Sequence, residues 1–226
     1  YTASAATVEE FIRALADGNA VSVLITGNII LTGGGQSQVT LLKPVTVSSG
    51  AVLTVGENME LAVMSTLTNN GTILIAGETE SAPVPDDDTA PVYPIIGQLT
   101  VKNGGTLYNR GTVTVEKASC DSVRRELLTD ANGDPILDEH SHVIYINEQG
   151  PNGGLLSVSG GTLTNSGTVN AEQGELTEDP SDSDEQRYWG GYIEIANAGV
   201  FDNLSGAAVN FSGAFLNLLS NSGQAT

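Results

Sequence analysis

Two stretches of the chain carry side chains whose types and spacing suit chemistry. In the first, Asp130, Asn132 and Asp134 alternate along the sequence, and Asp138, His140 and His142 follow. Alternating oxygen donors open a Ca²⁺ loop, but the bidentate glutamate that closes such a loop at its twelfth position is absent. His140 and His142 share a side of an extended segment and, with Asp138, offer nitrogen and oxygen ligands to a transition metal. The same pattern also serves as an ordinary polar turn. In the second stretch, Asp182 and Asp184 precede Tyr188-Trp189-Gly190-Gly191-Tyr192. Tyr188, Trp189 and Tyr192 can form a stacking platform for sugar rings, with the carboxylates accepting hydrogen bonds from sugar hydroxyls. The competing reading is that Trp189 pins its loop to the body of the protein.

Two other groups carry less. Asp86-Asp87-Asp88 could contribute oxygens to Ca²⁺, but an isolated run between prolines lacks the wrapping geometry that six to eight ligands need. Cys120 has no assignable His base and reads as an incidental thiol; as the only cysteine it excludes an internal disulfide.

What must position these residues is a repeat. Gly104-Gly105-Thr106-Leu107-Tyr108-Asn109-Arg110-Gly111-Thr112-Val113 returns as Gly160-Gly161-Thr162-Leu163-Thr164-Asn165-Ser166-Gly167-Thr168-Val169, with eight of ten positions identical. Looser copies lie at 66–73 and 199–206. In the clearest unit Leu99, Val101, Leu107, Val113 and Val115 fall on one side of three short strands, and Thr100, Tyr108, Thr112 and Thr114 on the other, which predicts one core face and one solvent face. Three-residue strands bent around tight corners enclose almost nothing alone. Stacked as coils of a solenoid, about 4.8 Å apart, they bury a continuous aliphatic column. Coils are expected to begin near Val45, Leu53 or Leu61, Leu99, Leu156 and Ile193, with the register at 45–67 ambiguous. Asn69, Asn109, Asn165 and Asn203 share the parity of the inward residues, so they are expected to form an inward ladder at one corner, each amide bonded to backbone or to the next Asn.

The N-terminus differs. Thr7-Val8-Glu9-Glu10 is a capping box, followed by Val8, Phe11, Ile12 and Leu15 on one helical stripe and stopped by Asp17-Gly18-Asn19. A capping helix over 7–18 is expected.

Three strands per coil, an Asn ladder, aliphatic stacks and an amphipathic N-terminal plug together resemble the pectin lyase-like, right-handed parallel β-helix superfamily. The Gly-Gly-Thr-Leu-x-Asn-x-Gly-Thr-Val phrase is also similar to repeats of bacterial adhesin-like cell-surface proteins. The resemblance implies an all-β, single-stranded right-handed parallel β-helix and admits two functions: a non-catalytic surface protein, or a carbohydrate-active enzyme, either a polysaccharide lyase or a glycoside hydrolase. The polygalacturonase-like signatures are missing beyond adjacent aspartates, and Lys102 and Arg110, the basic residues of the clear coils, sit in no matched acidic constellation. No catalytic residue is assigned, and the non-catalytic reading is preferred.

The expected domain is a single one over 1–226, interrupted at 78–97, 116–154 and 172–191. Each interruption follows the third strand of a coil, so all three should emerge from one side. The second reads as containing a β-hairpin between two apolar runs. The interruptions hold 20 of the 27 acidic residues, and connections this long are where binding function concentrates.

A net charge of -19 with only eight Lys and Arg argues against nucleic acid and anionic membrane surfaces as partners. A glycan or a surface protein is expected instead, with no cofactor other than Ca²⁺ as a candidate. No apolar run reaches the roughly 18 residues that span a bilayer, so no membrane insertion of this segment is expected. The chain opens at Tyr1 without Met or apolar leader, which predicts a removed signal segment and a secreted or bacterial cell-surface location. Phe211, Phe215, Leu216, Leu218 and Leu219 continue the apolar pattern to the C-terminal coil, where a closing segment or self-association is expected.

Overall fold

The computed structural model describes residues 1–33, 37–79, 96–119, 124–127, 130, 134, 136–137, 145–149, 152–174, 176–177, 186–187, 190–211, 215–218 and 224–225. It is an all-β parallel β-helix with one helix among the described residues. Strand β1 (Thr2–Ala5), helix α1 (Val8–Ala16), β2 (Ser22–Ile25) and β3 (Asn28–Leu31) form the N-terminal end. Three-stranded coils follow: β4 (Ser37–Leu41), β5 (Val45–Val47) and β6 (Val52–Val55), then β7 (Met59–Val63), β8 (Thr66–Asn69) and β9 (Thr72–Ile75), then β10 (Gln98–Val101), β11 (Thr106–Asn109) and β12 (Thr112–Val115). After the antiparallel pair β13 (Arg124–Leu127) and β14 (Tyr145–Gln149) come β15 (Leu155–Ser159), β16 (Thr162–Asn165) and β17 (Thr168–Ala171). The short antiparallel pair β18 (Leu176–Thr177) and β19 (Gln186–Arg187) precedes β20 (Tyr192–Ala196), β21 (Val200–Asn203) and β22 (Ala208–Phe211), and β23 (Phe215–Leu218) and β24 (Gln224–Ala225) begin a further coil.

Each position in the coil builds one parallel sheet along the rod. The first-strand sheet runs β4-β7-β10-β15-β20-β23, the second-strand sheet β1-β2-β5-β8-β11-β16-β21-β24, and the third-strand sheet β3-β6-β9-β12-β17-β22. Register is set by the repeat: Val45, Leu67, Leu107, Leu163 and Phe201 are consecutive partners down the second-strand sheet. The Leu and Val side chains at the inward positions of β7 to β12 and β15 to β17 are fully buried and make one continuous column. Burial of this kind stabilises by about 25 cal/mol per Å² of apolar surface, which is what pins a strand whose one-residue slip would turn every inward side chain outward.

The coil register expected between residues 45 and 67 resolves in favour of Leu61. Leu61 opens a coil in β7, whereas Leu53 lies in the third strand of the coil before it and Val45 in the second strand of a coil begun at β4. The N-terminal plug forms as expected: Thr7 caps α1, the Glu10 N–H donating to Thr7 Oγ1 at 3.3 Å while Glu10 Oε2 accepts the Ala6 N–H at 2.7 Å. Its buried stripe is narrower than expected. Phe11 and Ala14 are buried, but Ile12 is exposed, because the helix lies against the strand ends on one side only. Lys43 Nζ donates to the Asp17 and Ala14 carbonyls at 2.6 and 3.4 Å, holding the C-terminal end of α1 to the corner between β4 and β5.

Two expectations about faces need correction. Thr100, expected in solvent, is buried, as are Ala62 and Ser157 beside it on the outer side of the first-strand sheet. These short side chains are overhung by longer neighbours: Lys102 Nζ bridges to Glu60 at 3.0 Å, and Ser157 Oγ donates to Glu194 Oε2 at 3.0 Å. Asn203 joins the ladder as expected, its Oδ1 accepting Asn165 Nδ2 at 2.7 Å, but it is exposed rather than inward because it is the last rung among the described residues. No described helix is long and apolar enough to cross a membrane.

Candidate functional site at the insertion corner

The three long interruptions leave the rod at one corner, between the third strand of one coil and the first strand of the next. Each is pinched shut at its neck by the same hydrogen bond. Gly97 N–H donates to the Ala76 carbonyl at 2.9 Å, Gly154 to Glu116 at 2.8 Å, and Gly191 to Glu172 at 2.9 Å. The returning residue must be glycine because the backbone of the coil below is in the way: an added Cβ would lie 2.2 Å from the Val55 carbonyl oxygen at Gly97, 2.3 Å from that of Ile75 at Gly154, and 2.2 Å from that of Val115 at Gly191. The segments are therefore closed loops on an uninterrupted helix. Their lengths do not disturb the coil geometry.

The necks are also joined to one another. Glu78 N–H donates to the Asn152 carbonyl at 3.0 Å, and the Glu78 carbonyl accepts Ser119 N–H at 2.8 Å, linking the first insertion to the second. Glu78 is fully buried, with Asn152 Nδ2 at 3.5 Å from its Oε1. Lys117 N–H donates to Glu172 Oε2 at 3.2 Å, linking the second insertion to the third.

Glu116 and Glu172 occupy the same register, each the first residue past its third strand, on neighbouring coils. Burial pushes the Glu116 carboxyl above the ordinary glutamate range, and the Glu172 charge pushes it further in the same direction. A carboxyl raised by burial beside a second carboxylate is an element of acid–base chemistry, although ion-pair networks built for structure shift pKa values too. The pair was legible as a recurrence, Glu directly after Val-Thr-Val at 113–115 and after Val-Asn-Ala at 169–171, but nothing in the spacing revealed its burial.

The residues picked out from the sequence divide as follows. Tyr192 opens β20 at the neck of the third insertion, half-buried on the outer side of the first-strand sheet, its N–H donating to the Gly154 carbonyl at 2.9 Å. Asp130 and Asp134 come together, both exposed: Asp130 N–H donates to the Asp134 carbonyl at 2.9 Å, and Asp134 N–H to Asp130 Oδ1 at 3.1 Å. One oxygen of Asp130 thus closes its own turn. Tyr188, Trp189, Asp182, Asp184, Asn132, Asp138, His140 and His142 lie outside the described residues. Among the described residues no three His, Cys, Asp or Glu side chains converge as a metal site. The pairing of β13 with β14 places an antiparallel ribbon within the second insertion, with a register irregularity between Glu126 and Leu127.

No protein-family model, curated protein or solved structure matches the chain.

Proposed function

We propose that the chain is a non-catalytic, adhesin-like rod of a secreted or cell-surface bacterial protein, of the pectin lyase-like class of β-helices, which binds a glycan or a surface protein through its insertions. The observation that carries this reading is the shared corner. Three loops with closed necks leave neighbouring coils side by side, their necks bonded to each other, on a scaffold that keeps its strand register across all three. Strand spacing of about 4.8 Å between coils sets the loops at repeat distances comparable to those within an oligosaccharide or an extended peptide. A rigid framework that holds variable loops in register is the general design of a binding surface.

The test is a glycan array probed with the wild-type chain and with Trp189→Ala. Binding by the wild type that the variant loses assigns the glycan to the third insertion; equal binding by both moves it elsewhere. Failure of the wild type on acidic, neutral and host-type glycans alike removes the glycan reading and leaves the protein partner.

A second reading, a polysaccharide lyase or glycoside hydrolase, is favoured by one observation, the raised carboxyl of Glu116 in register with Glu172 on the neighbouring coil. A glycosidase needs one carboxyl that stays protonated and one that ionises. Turnover of a polysaccharide by the wild type that Glu116→Gln abolishes would establish it. Wild-type activity undiminished in that variant would remove the pair from any mechanism.

A further inference from the structure

The chain contains four Asn-Gly dipeptides, at Asn70, Asn103, Asn132 and Asn152. In such a pair the glycine nitrogen can attack the Asn side-chain carbonyl, because no Cβ on the following residue obstructs the ring that forms. In a folded chain the reaction requires that this nitrogen be free and that the backbone around it can turn. Three of the pairs lie within the described residues, and they differ sharply in both respects.

At Asn70 the attacking nitrogen is occupied, since Gly71 N–H donates to Asn69 Oδ1 at 3.1 Å. The site is also crowded, with the Ser48 and Ala51 carbonyl oxygens 2.3 and 2.4 Å from where a Cβ on Gly71 would sit. At Asn152 both the carbonyl and the side-chain amide are engaged by Glu78, and Gly153 is buried with the Gly190 carbonyl oxygen 2.3 Å from its Cβ position. Asn103 is the opposite case. Asn103 and Gly104 are the two central, exposed residues of a turn closed by Gly105 N–H donating to the Lys102 carbonyl at 2.8 Å. Gly104 has φ +84, the left-handed value of a type II turn, and nothing lies within 4 Å of its Cβ position. Its N–H has no acceptor among the described residues. The equivalent turn of a later coil, Ala196 to Gly199, closes by the same bond but carries Ala198 after Asn197, whose amide is tied to Ser159 Oγ at 2.8 Å.

We infer that Asn103 is a site of spontaneous modification, at which the folded protein forms a succinimide and then aspartate and isoaspartate, while Asn70 and Asn152 stay intact. Gly104 N gives its proton to solvent and bonds to Asn103 Cγ; the Cγ–Nδ2 bond breaks, and the nitrogen departs as ammonia with a proton from water. Water then adds to either imide carbonyl and opens the ring, giving aspartate or, with the chain rerouted through the side-chain carbon, isoaspartate. Water is the only co-reactant, and nothing is oxidised or reduced. Either product places a new carboxylate next in sequence to Lys102, the residue that bridges to Glu60. Isoaspartate also lengthens the backbone by one methylene at the corner that joins β10 to β11.

The experiment is peptide mapping by mass spectrometry after incubating the folded full chain in warm, mildly alkaline buffer, with a parallel incubation in denaturant. Conversion at Asn103 is expected to run about tenfold or more ahead of Asn70 and Asn152 in the folded chain, because those two must wait for local opening. In denaturant the three rates should draw together. Asn103→Ser, a change in an exposed turn, should remove the share of the acidic form on isoelectric focusing that peptide mapping assigns to Asn103. An unmodified Asn103, or conversion of Asn70 or Asn152 at the same rate in the folded chain, overturns the inference.

Discussion

Asn109 Nδ2 donates to Asn165 Oδ1 at 2.7 Å, and both side chains are completely withdrawn from solvent. The same amide also donates to the Thr168 carbonyl at 2.9 Å, and Asn109 Oδ1 accepts Asn69 Nδ2 at 2.8 Å. Each rung therefore satisfies its neighbour and a corner carbonyl at once. A buried amide is tolerable only when saturated in this way, because an unpaired polar group in the interior costs about 1–3 kcal/mol.

Asn109→Ala removes one side chain but strands several groups: the donor of Asn69, the acceptor of Asn165 and the Thr168 carbonyl. A loss of about 3 kcal/mol in urea unfolding is expected. Asn109→Asp should be worse near neutral pH and partly recover in acid, since a carboxylate cannot donate to Asn165 or Thr168 whereas a protonated carboxyl can. A loss under about 0.5 kcal/mol for Asn109→Ala, within the range of an ordinary surface change, would show that the ladder does not hold the corner.

The necks give a second expectation. At Gly154 an alanine Cβ would lie 2.3 Å from the Ile75 carbonyl oxygen, and neither backbone can move without opening the Gly154 to Glu116 hydrogen bond. Gly154→Ala should therefore cost about 3 kcal/mol by overpacking, and hydrogen exchange should rise first at the amides of Gly154 and Leu155. Unchanged protection at those amides would mean that the neck is not a fixed point.

Much of this was readable in the repeat because the repeat is a packing rule written in sequence. Leu107 and Leu163 mark the inward side, Asn109 and Asn165 the corner, and their fixed separation forces the register. The Leu53 to Leu67 stretch was ambiguous for the same reason. Leu53 and Leu61 both alternate correctly, and only the partner strand, Ile73 for one and Leu99 for the other, assigns each to its sheet. The burial of Thr100 and Ser157 was not readable, since it depends on Glu60 and Glu194 reaching in from neighbouring coils, with Glu60 bridged to Lys102 at the end of β10. Nor was the burial of Glu116 readable: the recurrence of Glu after each third strand places Glu116 and Glu172 on neighbouring coils through the pairing of β12 with β17, but not how far either is withdrawn from solvent.

Ala198 offers a test by gain of stability. It has φ +62, a left-handed backbone that a Cβ makes unfavourable by about 1–2 kcal/mol, in a turn where the equivalent position of an earlier coil is Gly104. Ala198→Gly should raise stability by about 1 kcal/mol, less than the full strain because glycine also loosens the unfolded chain. A thermal midpoint that falls instead would mean that the Ala198 side chain makes a packing contribution larger than its strain.

The last expectation concerns pH. Burial of Glu116, and then the charge of Glu172 on the neighbouring coil, hold its folded pKa above that of the unfolded chain. The folded state therefore binds more protons across that window, and stability from this group falls as pH rises. Its contribution is fully present below the ordinary glutamate value of about 4.3 and is lost as pH climbs through the raised value. Glu116→Gln is neutral at every pH and should melt higher than wild type at neutral pH, with the advantage gone by about pH 4. Glu172→Gln removes the like charge but leaves the burial of Glu116, and its oxygen can still accept the Lys117 N–H, so its melting temperature should fall between the two. Thermal melts of the three proteins from acid to neutral pH decide the matter. A Glu172→Gln curve superimposable on wild type would leave burial alone responsible for the raised Glu116 carboxyl.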